Sequence, residues 1–155
     1  MAADVQSKRI DQLHRGIIGG RPQTELDDLL WEAILAYQNY PLHTLSGLEF
    51  SYTVKHKKNG EYSGELLVSR KETSKTLTRS SVLLAFHKVL EQTEVMKTEA
   101  SRTETALKAG EACLHPPAYR GPKAIGQIFG ISYIFSLFLE FGLIRVSENA
   151  RRRKV

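Results

Sequence analysis

Cysteine is almost absent: Cys113 stands alone among 155 residues, so no disulfide closes within the chain and no cysteine-rich zinc cluster assembles in it. That usage fits a reducing compartment, and a cytoplasmic location is expected. Long hydrophobic runs are scarce as well. The first twenty residues hold Asp4, Lys8, Arg9, Asp11 and Arg15 without a continuous apolar stretch, so they do not read as a secretory signal, and the mature chain is expected to start at Met1 or Ala2. The one membrane-length candidate runs from Ala124 to Ile144 and is followed by Arg151, Arg152, Arg153 and Lys154. Gly126, Gln127, Gly130, Ser132 and Ser136 dilute it, and Glu140 within lipid would cost roughly 2.5–3.5 kcal/mol. A soluble protein without a membrane partner is the expectation.

Catalytic signatures are missing too. There is no Walker phosphate loop, no dinucleotide glycine fingerprint, no His-Glu-x-x-His helix and no Gly-x-Ser-x-Gly elbow. His14, His43, His56, His87 and His115 are scattered, and Cys113 with His115 supplies two ligands where a zinc site needs three or four. The chain is therefore read as a binding protein with no cofactor and no metal. The one enzymatic alternative is a small metal-independent nuclease using His56 or His87 with Arg70.

What is present is charge, unevenly placed. The first 49 residues hold four basic and seven acidic side chains, a net of −3, whereas residues 50–90 hold eight and three, a net of +5. Residues 91–144 carry −1 and residues 145–155 carry +4. Clustered Lys and Arg of this kind suit an anionic partner, because neutralised phosphates supply most of nonspecific nucleic-acid affinity.

Along the chain, residues 1–22 lack periodicity and end in Gly16, Gly19, Gly20 and Pro22, so a flexible arm is expected there. Thr24 reads as an N-cap, with Glu25, Asp27 and Asp28 in the first turn and Leu26, Leu29, Leu30, Ala33, Ile34 and Tyr37 at helical spacing. From Leu48 the period becomes two: Phe50, Tyr52 and Val54 alternate with Ser51, Thr53 and Lys55. Asn59-Gly60 marks a hairpin, and Tyr62, Gly64, Leu66 and Val68 share one face of the returning strand. A three-residue loop, Lys58-Asn59-Gly60, pairs Phe50 with Val68, Tyr52 with Leu66 and Val54 with Gly64, which keeps the apolar face continuous. A polar link follows, then a helix capped by Thr78 with Val82, Ala85, Phe86, Val89 and Leu90 as its buried stripe. Residues 97–121 are polar and closed by Pro116, Pro117 and Gly121, so a mobile connection is expected. The sum is an α+β fold, a single compact domain over 23–146 with a β-hairpin packed against several helices, flanked by the arm and a basic tail at 147–155.

The candidate site is basic. Arg70, Lys71, Lys75 and Arg79 stand among Ser69, Ser74, Thr76, Thr78, Ser80 and Ser81, and guanidinium groups, hydroxyls and a helix N-terminus together suit phosphate. Lys55, Lys57 and Lys58 at the hairpin, and Arg151, Arg152 and Arg153 in the tail, extend the expected contact surface. The expected function is nucleic-acid binding, DNA or RNA, with a regulatory role. The alternative is an interaction module, such as an inhibitor of a nucleic-acid enzyme, whose basic face meets an acidic groove on a protein.

Two resemblances bear on this. Gly130-Ile131-Ser132 followed by Leu139-Glu140-Phe141-Gly142-Leu143-Ile144-Arg145 resembles the end of bacterial winged-helix regulators. That resemblance implies a recognition helix opening at Ser132 and a wing entered at Leu143–Val146. Yet Tyr133, Ile134, Phe135, Leu137 and Phe138 make the helix apolar nearly all round and about one turn short, so core packing or a partner interface is expected instead. Across residues 48–144, Val68-Ser69-Arg70-Lys71, Thr78-Arg79-Ser80-Ser81-Val82, Gly121-Pro122-Lys123 and Phe129-Gly130-Ile131-Ser132-Tyr133 resemble small bacterial proteins associated with mobile elements.

Overall fold

The alternating segment from Leu48 builds the hairpin, and the sheet grows outward from it. In the computed structural model of the chain, which describes residues 2–56, 58–59, 62–70, 73–97 and 112–147, strand β2 (Glu49–His56) pairs antiparallel with β3 (Tyr62–Arg70). Strand β1 (Leu42–His43) flanks β2 and strand β4 (Thr73–Leu77) flanks β3, giving a four-stranded antiparallel sheet of order β1-β2-β3-β4. Phe50, Tyr52, Val54, Leu66 and Val68 are all buried on one face, as a half-buried strand pair requires.

Among the described residues four α-helices complete an α+β domain: α1 (Ala2–Ile18), α2 (Gln23–Ala36), α3 (Arg79–Gln92) and α4 (Ile131–Glu140). Leu13, Leu30, Phe86, Phe135 and Phe138 from these helices join the strand residues in one continuous core. Helix α4 is buried at seven of its ten positions, which is why it is apolar all round; Ser136, its buried polar residue, donates to the Ser132 carbonyl at 3.2 Å. The 21-residue apolar stretch is thus broken into a 3₁₀ turn at Pro122–Ala124, a loop and α4, and among the described residues no helix is long and apolar enough to cross a membrane.

Several local expectations are corrected. The flexible arm is a 17-residue helix, α1. Ile10, Leu13 and Ile17 stand at i, i+3 and i+7, enough for a narrow stripe, and Leu13 and Ile17 are buried. Helix α2 starts at Gln23 behind Pro22, not at a Thr24 cap. The polar link before α3 is strand β4, whose Lys75 pairs with Val68 and whose Leu77 pairs with Leu66. Residues 112–115 and 118–119, assigned to a mobile connection, are strands: β6 (Ala112–His115) pairs antiparallel with β5 (Glu94–Lys97), and β7 (Ala118–Tyr119) pairs parallel with β8 (Arg145–Val146). Residues 98–111 lie outside the described residues, as does the tail beyond Ser147.

The hairpin register shifts within the ladder. Near the tip His56 pairs with Tyr62, as a three-residue loop requires, but the body pairs Tyr52 with Val68 and Val54 with Leu66, two residues away from expectation. An irregularity between Val54 and His56 absorbs the difference, and Gly64 sits opposite it at φ +88°, a conformation open to glycine. A slip of two keeps every side chain on its own face, so the apolar face survives the correction.

Candidate functional site

Helix α3 opens as expected: the Thr78 hydroxyl accepts from the Ser81 amide at 3.2 Å. That bond occupies Thr78 as a cap. Arg79 extends away from the basic cluster, its guanidinium carbon 4.6 Å from the centre of the Trp31 ring on α2. Its aliphatic stem lies against Gly64, where an added Cβ would stand 3.1 Å from Arg79 Cδ. Arg79 therefore clamps the β3 bulge to α2, and cation–π attraction with stem packing accounts for its presence.

Arg70 and Lys75 do come together. Both belong to the same parity as the core-facing residues of their strands, Val68 and Leu77, but stand where the core gives way to solvent. There they line one groove of about 420 Å³, with Thr44, Leu45, Ser46 and Leu48 on the β1–β2 side and Ile128, Gly130, Ile131 and Ser132 at the start of α4. Arg70 Nε donates to Thr73 Oγ1 at 3.2 Å and its guanidinium carbon lies 5.7 Å from the Tyr133 ring centre. Lys75 Nζ sits 4.7 Å from the centre of the Phe129 ring, and Phe129 is 58 % exposed.

Among the described residues no carboxylate lines the groove and none pairs with Arg70 or Lys75. The first turn of α4 carries no acidic residue, and its N-cap, Gly130, offers no side-chain bond. Gly130 takes φ +75°, and a Cβ there would overlap the Leu77 side chain. Only glycine lets the chain turn into α4 this close to β4, and that approach brings the helix N-terminus to the two cations. Hydroxyls of Thr44, Ser46 and Ser132 add donors, Thr44 Oγ1 being 2.8 Å from Ser46 Oγ. Positive charge, a helix N-terminus and hydroxyls on one concave surface favour an anion.

The other expected contacts lie elsewhere. Lys58 is exposed in the hairpin turn and Lys55 half-buried on β2, while Arg70 closes the far end of the nine-residue β3, roughly 25 Å along the strand. The hairpin tip and the cluster are thus two basic regions rather than one. Lys57, Lys71, Arg151, Arg152 and Arg153 lie outside the described residues. His87 meets Asp27 of α2, Nε2 to Oδ1 at 3.0 Å, and does not line the groove with Arg70. Among the described residues no group of three or more His, Cys, Asp or Glu is placed to hold a metal ion. Sequence reasoning did not assemble Thr44, Ser46, Phe129 and Ser132 into the site, since they reach it from segments about 30 to 60 residues away from Arg70 or Lys75.

Comparison with protein-family models, with curated proteins and with solved structures gives no match to this chain.

Proposed function

We propose that the protein binds nucleic acid, with Arg70 and Lys75 taking backbone phosphates in the groove beside the start of α4. The observation that carries this reading is the convergence of two cations, unopposed by any carboxylate among the described residues, on a concave surface that also holds a helix N-terminus. The +5 charge of residues 50–90 and the resemblance of residues 48–144 to small mobile-element proteins support it. Lys55, Lys58 and the tail arginines would add long-range attraction rather than register. The single cysteine supports a cytoplasmic location, and the role proposed for the binding is regulatory.

The test is fluorescence anisotropy with labelled DNA and RNA oligonucleotides. Arg70→Ala combined with Lys75→Ala is expected to weaken binding at least tenfold, and Lys55→Ala combined with Lys58→Ala distinctly less. Equal affinities for the first pair and the wild-type protein would remove the groove from the interface. Capture of a stoichiometric acidic protein in place of nucleic acid would replace the reading by the protein-partner alternative.

A further inference from the structure

Phosphate binding alone does not explain the apolar side of the groove. Val5, Leu48, Leu84 and Phe129 are the large hydrophobic side chains exposed among the described residues, and two of them stand here. Leu48 lines the groove, 37 % exposed; Phe129 stands at its rim, 58 % exposed, between the lining residues Ile128 and Gly130 and against the ammonium of Lys75. Leu45, Ile128 and Ile131 continue the apolar wall. Exposed apolar rings are costly to keep in water, and the neighbouring Phe135, Phe138 and Phe141 are all fully buried.

We propose that the groove takes a single strand, with an unpaired base stacked on Phe129 while Arg70 and Lys75 hold the adjoining phosphates. This deepens the nucleic-acid reading and rests on it. A duplex offers backbone and base edges but keeps the faces of its bases against one another, so it has nothing to lay on an exposed ring. An unpaired base has a free face, and an aromatic side chain beside cations is the recurrent platform for it. The size agrees, since about 420 Å³ falls in the range of clefts that hold a small-molecule-sized group, too small for a double helix. Lys75 rests on the Phe129 ring without a strand, and an exposed cation–π contact is weaker than base–aromatic stacking. A base therefore displaces the ammonium from the ring, and the freed ammonium turns to the phosphate beside that base. Gly130, next in the chain to Phe129, makes a left-handed turn against Leu77.

The experiment compares a labelled 12-nucleotide single strand, the same strand with abasic positions, and its duplex, by anisotropy at one salt concentration. The proteins are wild type, Phe129→Ala, Phe129→Trp and the Arg70→Ala/Lys75→Ala double variant, each checked for unchanged thermal unfolding. The expected result is tenfold or greater preference for the strand over the duplex, about tenfold loss for Phe129→Ala, and recovery for Phe129→Trp. The abasic strand should bind wild type about as weakly as the intact strand binds Phe129→Ala. If strand and duplex bind equally and Phe129→Ala matches wild type while the double variant is weakened, stacking is overturned and phosphate binding stands. If neither strand nor duplex binds wild type, both readings fall.

Discussion

Tyr52 joins the sheet to the second helix through one atom. Its hydroxyl, buried beneath β2, donates to the Ile34 carbonyl of α2 at 2.6 Å. Burial first, and the nearby Tyr37 second, raise its pKa well above the ordinary 10.0. The folded chain therefore holds Tyr52 neutral where the unfolded chain ionises it. Its contribution to stability is complete below pH 10 and is lost as pH rises above that value toward the raised folded pKa. Tyr52→Phe is expected to cost about 1 kcal/mol at pH 8, where the hydrogen bond is removed and the Ile34 carbonyl left without it. The same variant should lose less stability than wild type between pH 8 and pH 11, which urea unfolding at the two values measures; parallel losses would refute the account. Thr78 shows the opposite relation to sequence, since its capping role follows from residue type and position alone, whereas the Tyr52 bond is invisible until α2 lies across the strand.

Among the elements, those with a strong period were legible and those held by context were not. Strands β2 and β3 alternate cleanly, and α3 shows its buried stripe of Val82, Ala85, Phe86 and Val89 in the sequence. Helix α1 has a stripe of Ile10, Leu13 and Ile17, with Val5 and Ile18 as its other large apolar residues, too thin to outweigh Gly16 within it and Gly19 and Gly20 after it. Its packing is nevertheless central, with Leu13 wholly buried and Gln6 Nε2 donating to the Ala36 carbonyl at 3.2 Å. Leu13→Ala is expected to cost about 2–5 kcal/mol, the loss typical of a core leucine and far outside what an arm would show, read as a lowered urea midpoint with an unchanged slope. Strand β4 was hidden for a different reason. Thr73, Ser74, Lys75 and Thr76 are polar in succession, so β4 has no alternation to read, and pairing with β3 rather than its own pattern makes it a strand. The opposite side of the sheet is finished differently: the Asn39 amide donates to the Tyr52 carbonyl at 2.8 Å and Gln38 Oε1 accepts from the Val54 amide at 2.8 Å, closing β2 where the short β1 stops.

At the scale of the molecule, the charge asymmetry in the sequence survives folding but divides. Arg70 and Lys75 were legible as members of a cluster, yet the groove they share also needs residues 44–48 and 128–132, and no linear pattern brings those segments together. Arg79 was drawn into the cluster by proximity in sequence and left it in space, because Trp31 offers its guanidinium an aromatic face. The proposed binding predicts a salt dependence with a definite change. For a single strand each neutralised phosphate adds about −0.7 to the slope of log K against log salt, so removing Arg70 and Lys75 together is expected to flatten the slope by about 1.4. A slope unchanged in the double variant would place the contacted phosphates elsewhere on the protein.

The contact between His14 Nε2 and the Phe141 carbonyl, 2.7 Å long, spans 127 positions of the chain. Ribosomes add roughly 5–20 residues per second, so α1 emerges on the order of ten seconds before the carbonyl it meets has been made. Helix α2 follows at once and shelters part of the α1 stripe, but the seat against the end of α4 is vacant until the 127 positions between His14 and Phe141 have been added. A product that stalls before α4 carries α1 without that seat and without Phe135, Phe138 and Phe141 of the core. Helix α1 therefore completes its packing only after α4 has been made.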